Sequence, residues 1–142
     1  MKQVEFERVL PSEAQIESLF ELLLQRVHKI SCEDVSYNEH KRFVKSHPYR
    51  DWFLIRVSDS YVGSFYVSKE NTIGINVSDG YVSLVVTQIV IFVKENLKPL
   101  PPIPSIRSDK FAVNVPPSNV QLAKALEEVD AKIAQISYIL PS

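Results

Sequence analysis

A chain of 142 residues, 45% hydrophobic and 23% charged, has the balance of one globular domain, which excludes a disordered tail, a collagen-like fibre or a low-complexity scaffold. Sixteen Lys and Arg against seventeen Asp and Glu give a net charge of -1, without the basic excess that nucleic acid demands. The lone Cys32 excludes an intrachain disulfide and a multi-cysteine metal site, and three glycines against nine prolines disfavour a glycine-rich nucleotide loop.

Val4 to Leu10 alternates in period two and is expected to be a strand. Ser12 and Glu13 then start a helix to about Val27, with Ile16, Leu19, Phe20, Leu23 and Leu24 on one face. Ser36 and Glu39 have capping-box spacing and open a second helix to about Ser46, which Pro48 stops. Trp52 to Val57, Tyr61 to Ser68 and Thr72 to Val77 are strand-like runs separated by the turns Ser58–Ser60 and Lys69–Asn71, so an antiparallel meander is expected. Val82 to Leu97 has a strand-like Val and Ile content but no turn signal, and its length predicts a largely buried helix. Lys98 to Pro104 carries four prolines and must be an extended loop. Lys110 to Val115 is a strand, Ser118 and Asn119 start a helix facing inward with Val120, Ala123, Leu126 and Val129, and Lys132 to Leu140 closes the chain as an alternating strand. The expected class is α+β, one domain over 1–142, with a central, mostly antiparallel, twisted sheet flanked by helices in the order β-α-α-β-β-β-α-β-α-β.

Charges in Met1–Glu7 stand where a secretion signal needs an apolar core. The longest near-apolar run, Val82 to Val93, is broken by Ser83, Thr87 and Gln88 and is too short to span a bilayer, so a cytoplasmic protein is expected.

The element order from Val4 to Leu140 resembles the GNAT fold of acyl-CoA-dependent N-acetyltransferases. Tyr61–Val67, with its Val62-Gly63 pair, looks like the family's third strand, and Thr72–Val77 like its fourth. Phe111–Asn119 followed by a helix is similar to the family's closing segment. His47–Phe53 before the strand pair looks like small acetyltransferases associated with surface-polysaccharide amino sugars. The family's signature, an Arg/Gln-x-x-Gly-x-Gly/Ala loop that binds the CoA pyrophosphate at a helix N-terminus, is absent. Val82 falls on its first position, and Ser83, Val85 and Thr87 stand in for its small residues. Leu126 occupies the place, seven residues after Asn119, where many members carry a Tyr acid.

The resemblance implies acetyl transfer from acetyl-CoA to a small-molecule amine, with a nucleotide-linked amino sugar as the narrower expectation. It assigns the backbone of Ile75, Asn76 and Val77 to the thioester carbonyl, Ser83, Val85 and Thr87 to the pyrophosphate, and Asn114 and Asn119 to the pantetheine arm. Asn119 is equally explained as a helix cap. His47 is the candidate base or acceptor-positioning residue, against a plain reading as a surface histidine at a helix end. Tyr66 and Tyr138 are candidates to hydrogen-bond an acceptor, against plain strand packing. Trp52 reads as core. His40 lies seven residues before His47 and reads as part of a solvated face rather than a metal pair. His28 reads as a cation closing the first helix, and Cys32, beside Glu33 and Asp34, as a poor nucleophile. No metal is expected, nor a nucleic-acid or membrane partner; a homodimer is the assembly left open. A GNAT-fold module that binds without catalysing is the alternative, and a structural member of a larger assembly a further one.

Overall fold

Two serines start the helices that cover one face of the sheet. In the computed structural model, which describes residues 3–26 and 35–142, Ser12 Oγ accepts from Gln15 N at 3.3 Å and opens α1 (Glu13–Gln25). Ser36 Oγ accepts from Glu39 N at 3.2 Å and donates to its carboxylate at 3.1 Å, a side-chain N-cap that opens α2 (Tyr37–Lys45). The expected continuation of α1 to Val27, with His28 and Cys32, lies outside the described residues.

The sheet runs in order β1 (Val4–Arg8), β2 (Asp51–Val57), β3 (Ser60–Val67), β4 (Thr72–Val77) and β5 (Ala112–Asn114). The first four are antiparallel neighbours, and β5 joins β4 in parallel. Alternation along β2 and β3 sends Phe53, Ile55, Val57, Phe65 and Val67 to one face, where they bury against α3 (Val82–Asn96) through Val85, Ile89 and Val93. Trp52 and Leu54 point the other way, onto Ile16, Leu19 and Leu22 of α1 and Val44 of α2, so Trp52 is core. α4 (Val120–Glu128), capped by Asn119, packs Leu122 and Ala125 on Val82 and Val86 of α3. The result is helices on both faces of one five-stranded sheet.

The closing strand expected over Lys132 to Leu140 is not formed. Residues 131–142 have no regular structure and are exposed. The alternating pattern is present, but among the described residues no strand pairs with it, and a strand without a partner leaves its backbone groups to water. The placement of Tyr138 on a strand is corrected accordingly: its side chain is 84% exposed.

The proline-rich segment is an extended loop, as expected, and one asparagine holds it. Asn71 stands at φ 64°, in the left-handed region that Asn tolerates. Its fully buried amide donates to Leu100 O at 2.9 Å and Ser108 O at 2.8 Å, and its Oδ1 accepts from Leu100 N at 2.8 Å. Its own carbonyl accepts from Ala112 N at 3.0 Å, at the start of β5. Truncation strands buried backbone groups, so Asn71→Ala is expected to lower stability by about 2–4 kcal/mol. Asn71→Gly, which suits the backbone angle but loses the same bonds, should lose somewhat less, as read from urea unfolding midpoints.

His40 corrects a second expectation. It is buried in α2, and its Nε2 lies 3.2 Å from the carbonyl of Ile16 in α1, to which it donates as the neutral ring. His47 follows the end of α2 at Lys45, so the two do not share a helix face. Burial holds the His40 imidazole below its ordinary value of 6.5, with the Ile16 hydrogen bond opposing. As pH falls through about 6.5, the unfolded chain takes up a proton that the folded state refuses. Stability should therefore be full near neutrality, decline below about pH 6.5 and level off beneath the folded pKa. Unfolding midpoints at neutral and mildly acidic pH should diverge, and His40→Gln should shrink that divergence.

Candidate functional site

The β4–β5 ladder stops early. Thr72, Ile73 and Gly74 pair with Ala112, Val113 and Asn114, and there the pairing ends. Ile75, Asn76 and Val77 continue along β3 on their other side but have no strand partner toward β5, where the chain turns away through Pro116 to Asn119. The divergence opens a cleft of about 170 Å³. Ile75, Asn76, Val77 and Asn119 line it, four of the residues the sequence reading assigned to the donor. Its opposite wall is the end of α1, with Leu22, Gln25 and Arg26, and its floor includes Ser78 and Asp79.

Two glycines permit this geometry by close approach. A Cβ on Gly63 would collide with the backbone carbonyl of Asn76, and one on Gly74 would overlap the ring of Tyr66. Gly63 therefore sets how near β3 comes to the cleft strand, and Gly74 lets Tyr66 lie across β4.

An aromatic cluster adjoins the cleft. Tyr66 stacks on Tyr49 with ring centroids 3.9 Å apart, Tyr49 meets Trp52 edge-on at 5.2 Å, and His47 packs against Tyr49 at 5.5 Å and Trp52 at 5.1 Å. Burial pushes the Tyr49 hydroxyl up to about 12, aided by Tyr66 and opposed by Arg26. Burial likewise raises Tyr66, again against Arg26. Both phenols stay protonated at neutral pH, and the Arg26 charge links them to the cleft wall. The Nε of Arg26 is buried with no hydrogen-bond partner.

His47 and Tyr66 are thus both brought against one ring, Tyr49, and neither lines the cleft. Burial lowers the His47 pKa, and its Nδ1 is buried without a hydrogen-bond partner. The ionisable groups that do line the cleft are Arg26 and Asp79. Neither was singled out in the sequence. Arg26 ends a helix and Asp79 sits in a turn before one, positions with ordinary structural explanations, and only the fold brings them together.

The helix that follows the cleft strand starts at Val82, with Tyr81 as N-cap and no side-chain capping bond. Its first-turn amides, those of Val82, Ser83 and Leu84, have no acceptor within the helix. This moves the assignment made from sequence. Val85 N already donates to Tyr81 O at 3.0 Å, and the Val85 side chain is fully buried in the core. The Thr87 hydroxyl donates to Ser83 O at 3.2 Å, one turn back along the helix. Of Ser83, Val85 and Thr87, Ser83 alone stands in the turn that presents amides. Asn114 ends β5 at the mouth of the divergence and is exposed, outside the cleft lining. Leu126 is partly buried on the α3–α4 core. Among the described residues no group of three or more His, Cys, Asp or Glu stands ready for a metal.

The fold matches solved structures over nearly the whole chain. The N-acetyltransferase PseH of Campylobacter jejuni, solved with acetyl coenzyme A, aligns with a TM-score of 0.61 at 14% identity, covering 95% of this chain and 92% of that one. The fold is that of the GNAT N-acetyltransferases. The aminoglycoside N-acetyltransferase AAC(6')-Iy, solved with a bisubstrate analogue of CoA, aligns at TM-score 0.62 and 9% identity, covering 99% and 98%. A domain from Methanocaldococcus jannaschii aligns at 0.65 and 15%, covering 96% and 93%. No protein-family model and no curated protein sequence matches the chain. In GNAT terms the sequence reading of the fold holds, apart from its last strand. No helix is long and apolar enough to cross a membrane.

The Val85 side chain belongs to the core. Val85→Gly removes a buried side chain and weakens a helix interior, so it should lower stability by about 2–4 kcal/mol, measured by thermal or urea unfolding.

Proposed function

We propose that the protein transfers an acetyl group from acetyl-CoA to a small amine. The observation that carries this reading is the split between β4 and β5, which leaves the backbone of Ile75–Val77 without a strand partner on its β5 side, beside the start of α3. Pyrophosphate is drawn to the amides of Val82, Ser83 and Leu84 and to the positive end of the helix dipole. The pantetheine arm enters the split past Asn119, and a β4 backbone N–H faces the thioester carbonyl, where it stabilises the developing oxyanion.

The amine attacks the carbonyl carbon as a neutral nucleophile. The C–N bond forms, the C–S bond breaks, the ammonium proton passes to a base and CoA leaves as the thiolate. Asp79 is the carboxylate in the cleft lining and takes that role in this reading, in place of His47, which is outside that lining. A CoA thiol has a pKa near about 8.5, by analogy with free cysteine, so Leu126 can stand where a Tyr acid is common without a large penalty. Arg26, with its unpartnered Nε, and the Tyr49–Tyr66 stack favour an acceptor that carries an anionic group beside a ring. A nucleotide-linked amino sugar fits that description.

Calorimetric titration with acetyl-CoA tests the donor half. Micromolar binding is expected, and Ser83→Asp, an exposed change that puts a carboxylate at the amides, should weaken it by about tenfold or more. No binding at millimolar donor would favour the non-catalytic module. With a responsive amine, Asp79→Asn should lower turnover by about 10²-fold or more, while His47→Ala stays within about tenfold of the parent. The reverse order would return the base to His47.

A further inference from the structure

Between α3 and β5, each non-proline residue of the run Lys98–Pro99–Leu100–Pro101–Pro102–Ile103–Pro104 stands directly before a proline. Proline fixes its own φ, and the residue before it avoids helical geometry, so the run is confined to an extended, polyproline II-like backbone. Such a helix turns once in three residues and has three edges. Lys98, Pro101 and Pro104 fall on one edge, Pro99 and Pro102 on the second, and Leu100 and Ile103 on the third.

The third edge is the one fastened to the domain. Leu100 is half-buried, with its N and O both bonded to the Asn71 amide, and Ile103 pairs with Arg107. Lys98, Pro99, Pro101, Pro102 and Pro104 are exposed. Arg50 Nη1 donates to Lys98 O at 2.6 Å, and Arg107 Nε donates to Pro101 O at 2.7 Å. Among the described residues, the carbonyls of Pro99 and Pro102 accept no hydrogen bond, and the Lys98 ammonium makes no ion pair. Three side chains thus hold the ridge in shape and leave two of its edges bare. A ridge already ordered loses little chain entropy when something binds it.

We propose that the Lys98–Pro102 ridge docks a proline-recognition module, a protein domain whose groove is lined with aromatic rings and bordered by a carboxylate. Pro99 and Pro102 lie about 9 Å apart along the helix and enter successive slots between the rings. Their free carbonyls accept from the hydroxyl or indole donors of the groove, and Lys98 meets the carboxylate. The burial of Leu100 fixes this register. A second proline pair at the same spacing, Pro101 and Pro104, would need Leu100 and Ile103 beside it in the groove, and Leu100 faces its own domain. The proposal stands on the loop, and it holds whether or not the cleft is catalytic.

The full-length protein titrated against an array of purified SH3 and WW domains tests it. At least one domain should bind with a Kd of about 100 µM or tighter, and an array with no binder at that strength would overturn the proposal. Against a domain that binds, Pro99→Ala with Pro102→Ala should weaken the complex by about tenfold or more, and Pro104→Ala should stay within about twofold. A larger loss from Pro104→Ala than from the pair would overturn the register. Lys98→Glu gives a check that alters no packed side chain, and it should weaken binding by about tenfold, more at low salt than at high salt. Binding that is indifferent to both Lys98→Glu and the proline pair would place the contact elsewhere and overturn the ridge.

Discussion

The buried amide of Asn71 ties the β3–β4 turn to both ends of the proline-rich loop, and the geometry of the cleft follows from that tie. The loop pairs with itself at Ile103 and Arg107, but its four prolines remove backbone donors, so other carbonyls need donors from elsewhere. Asn71 supplies two, Arg107 reaches Pro101 O and Lys69 O, and Arg50 reaches Lys98 O. With the loop so held, Ala112 N meets the Asn71 carbonyl and β5 begins alongside Thr72. Where β5 begins decides where it can diverge.

Gly63 makes a complementary contribution from the other side. Having no side chain, it lets β3 press against the carbonyl of Asn76, so the cleft strand is held by its neighbour on one side and free on the other. The position of the Ile75–Val77 backbone is thus set by an asparagine amide at one end and an absent Cβ at the other.

Element order was legible in the sequence because it depends on local signals. Ser12 and Ser36 cap as their spacing indicates, β2 to β4 form the meander that their turns indicate, and Val82–Asn96 is helical despite its β-branched content. Length and burial on α3 outweighed intrinsic preference there. The cleft was legible only in part. Ile75, Asn76, Val77 and Asn119 came from resemblance, and the split between strands brings them together. Arg26, Asp79 and Tyr49 were invisible, because a helix-end arginine, a turn aspartate and a tyrosine after proline carry no motif. His47 was chosen for its chemistry, and its place in the aromatic cluster with Tyr49 and Trp52 is a tertiary fact. The closing strand over Lys132–Leu140 was misplaced for a related reason: period-two alternation reports that a segment can pair, without saying with what.

The brevity of β5 also bears on how the domain opens. Thr72 and Ala112 are forty positions apart, and closing a loop of that length costs about 3 kcal/mol of chain entropy against three strand pairs. The β2–β3–β4 meander, joined by short turns, does not carry that burden. The two sides of the cleft therefore belong to regions of unequal local stability, with the β5 side able to detach while the meander and its α3 core stay intact. A molecule bound between β4 and β5 would bind the closed arrangement alone, and its binding energy would go partly into slowing amide exchange along Ala112–Asn114.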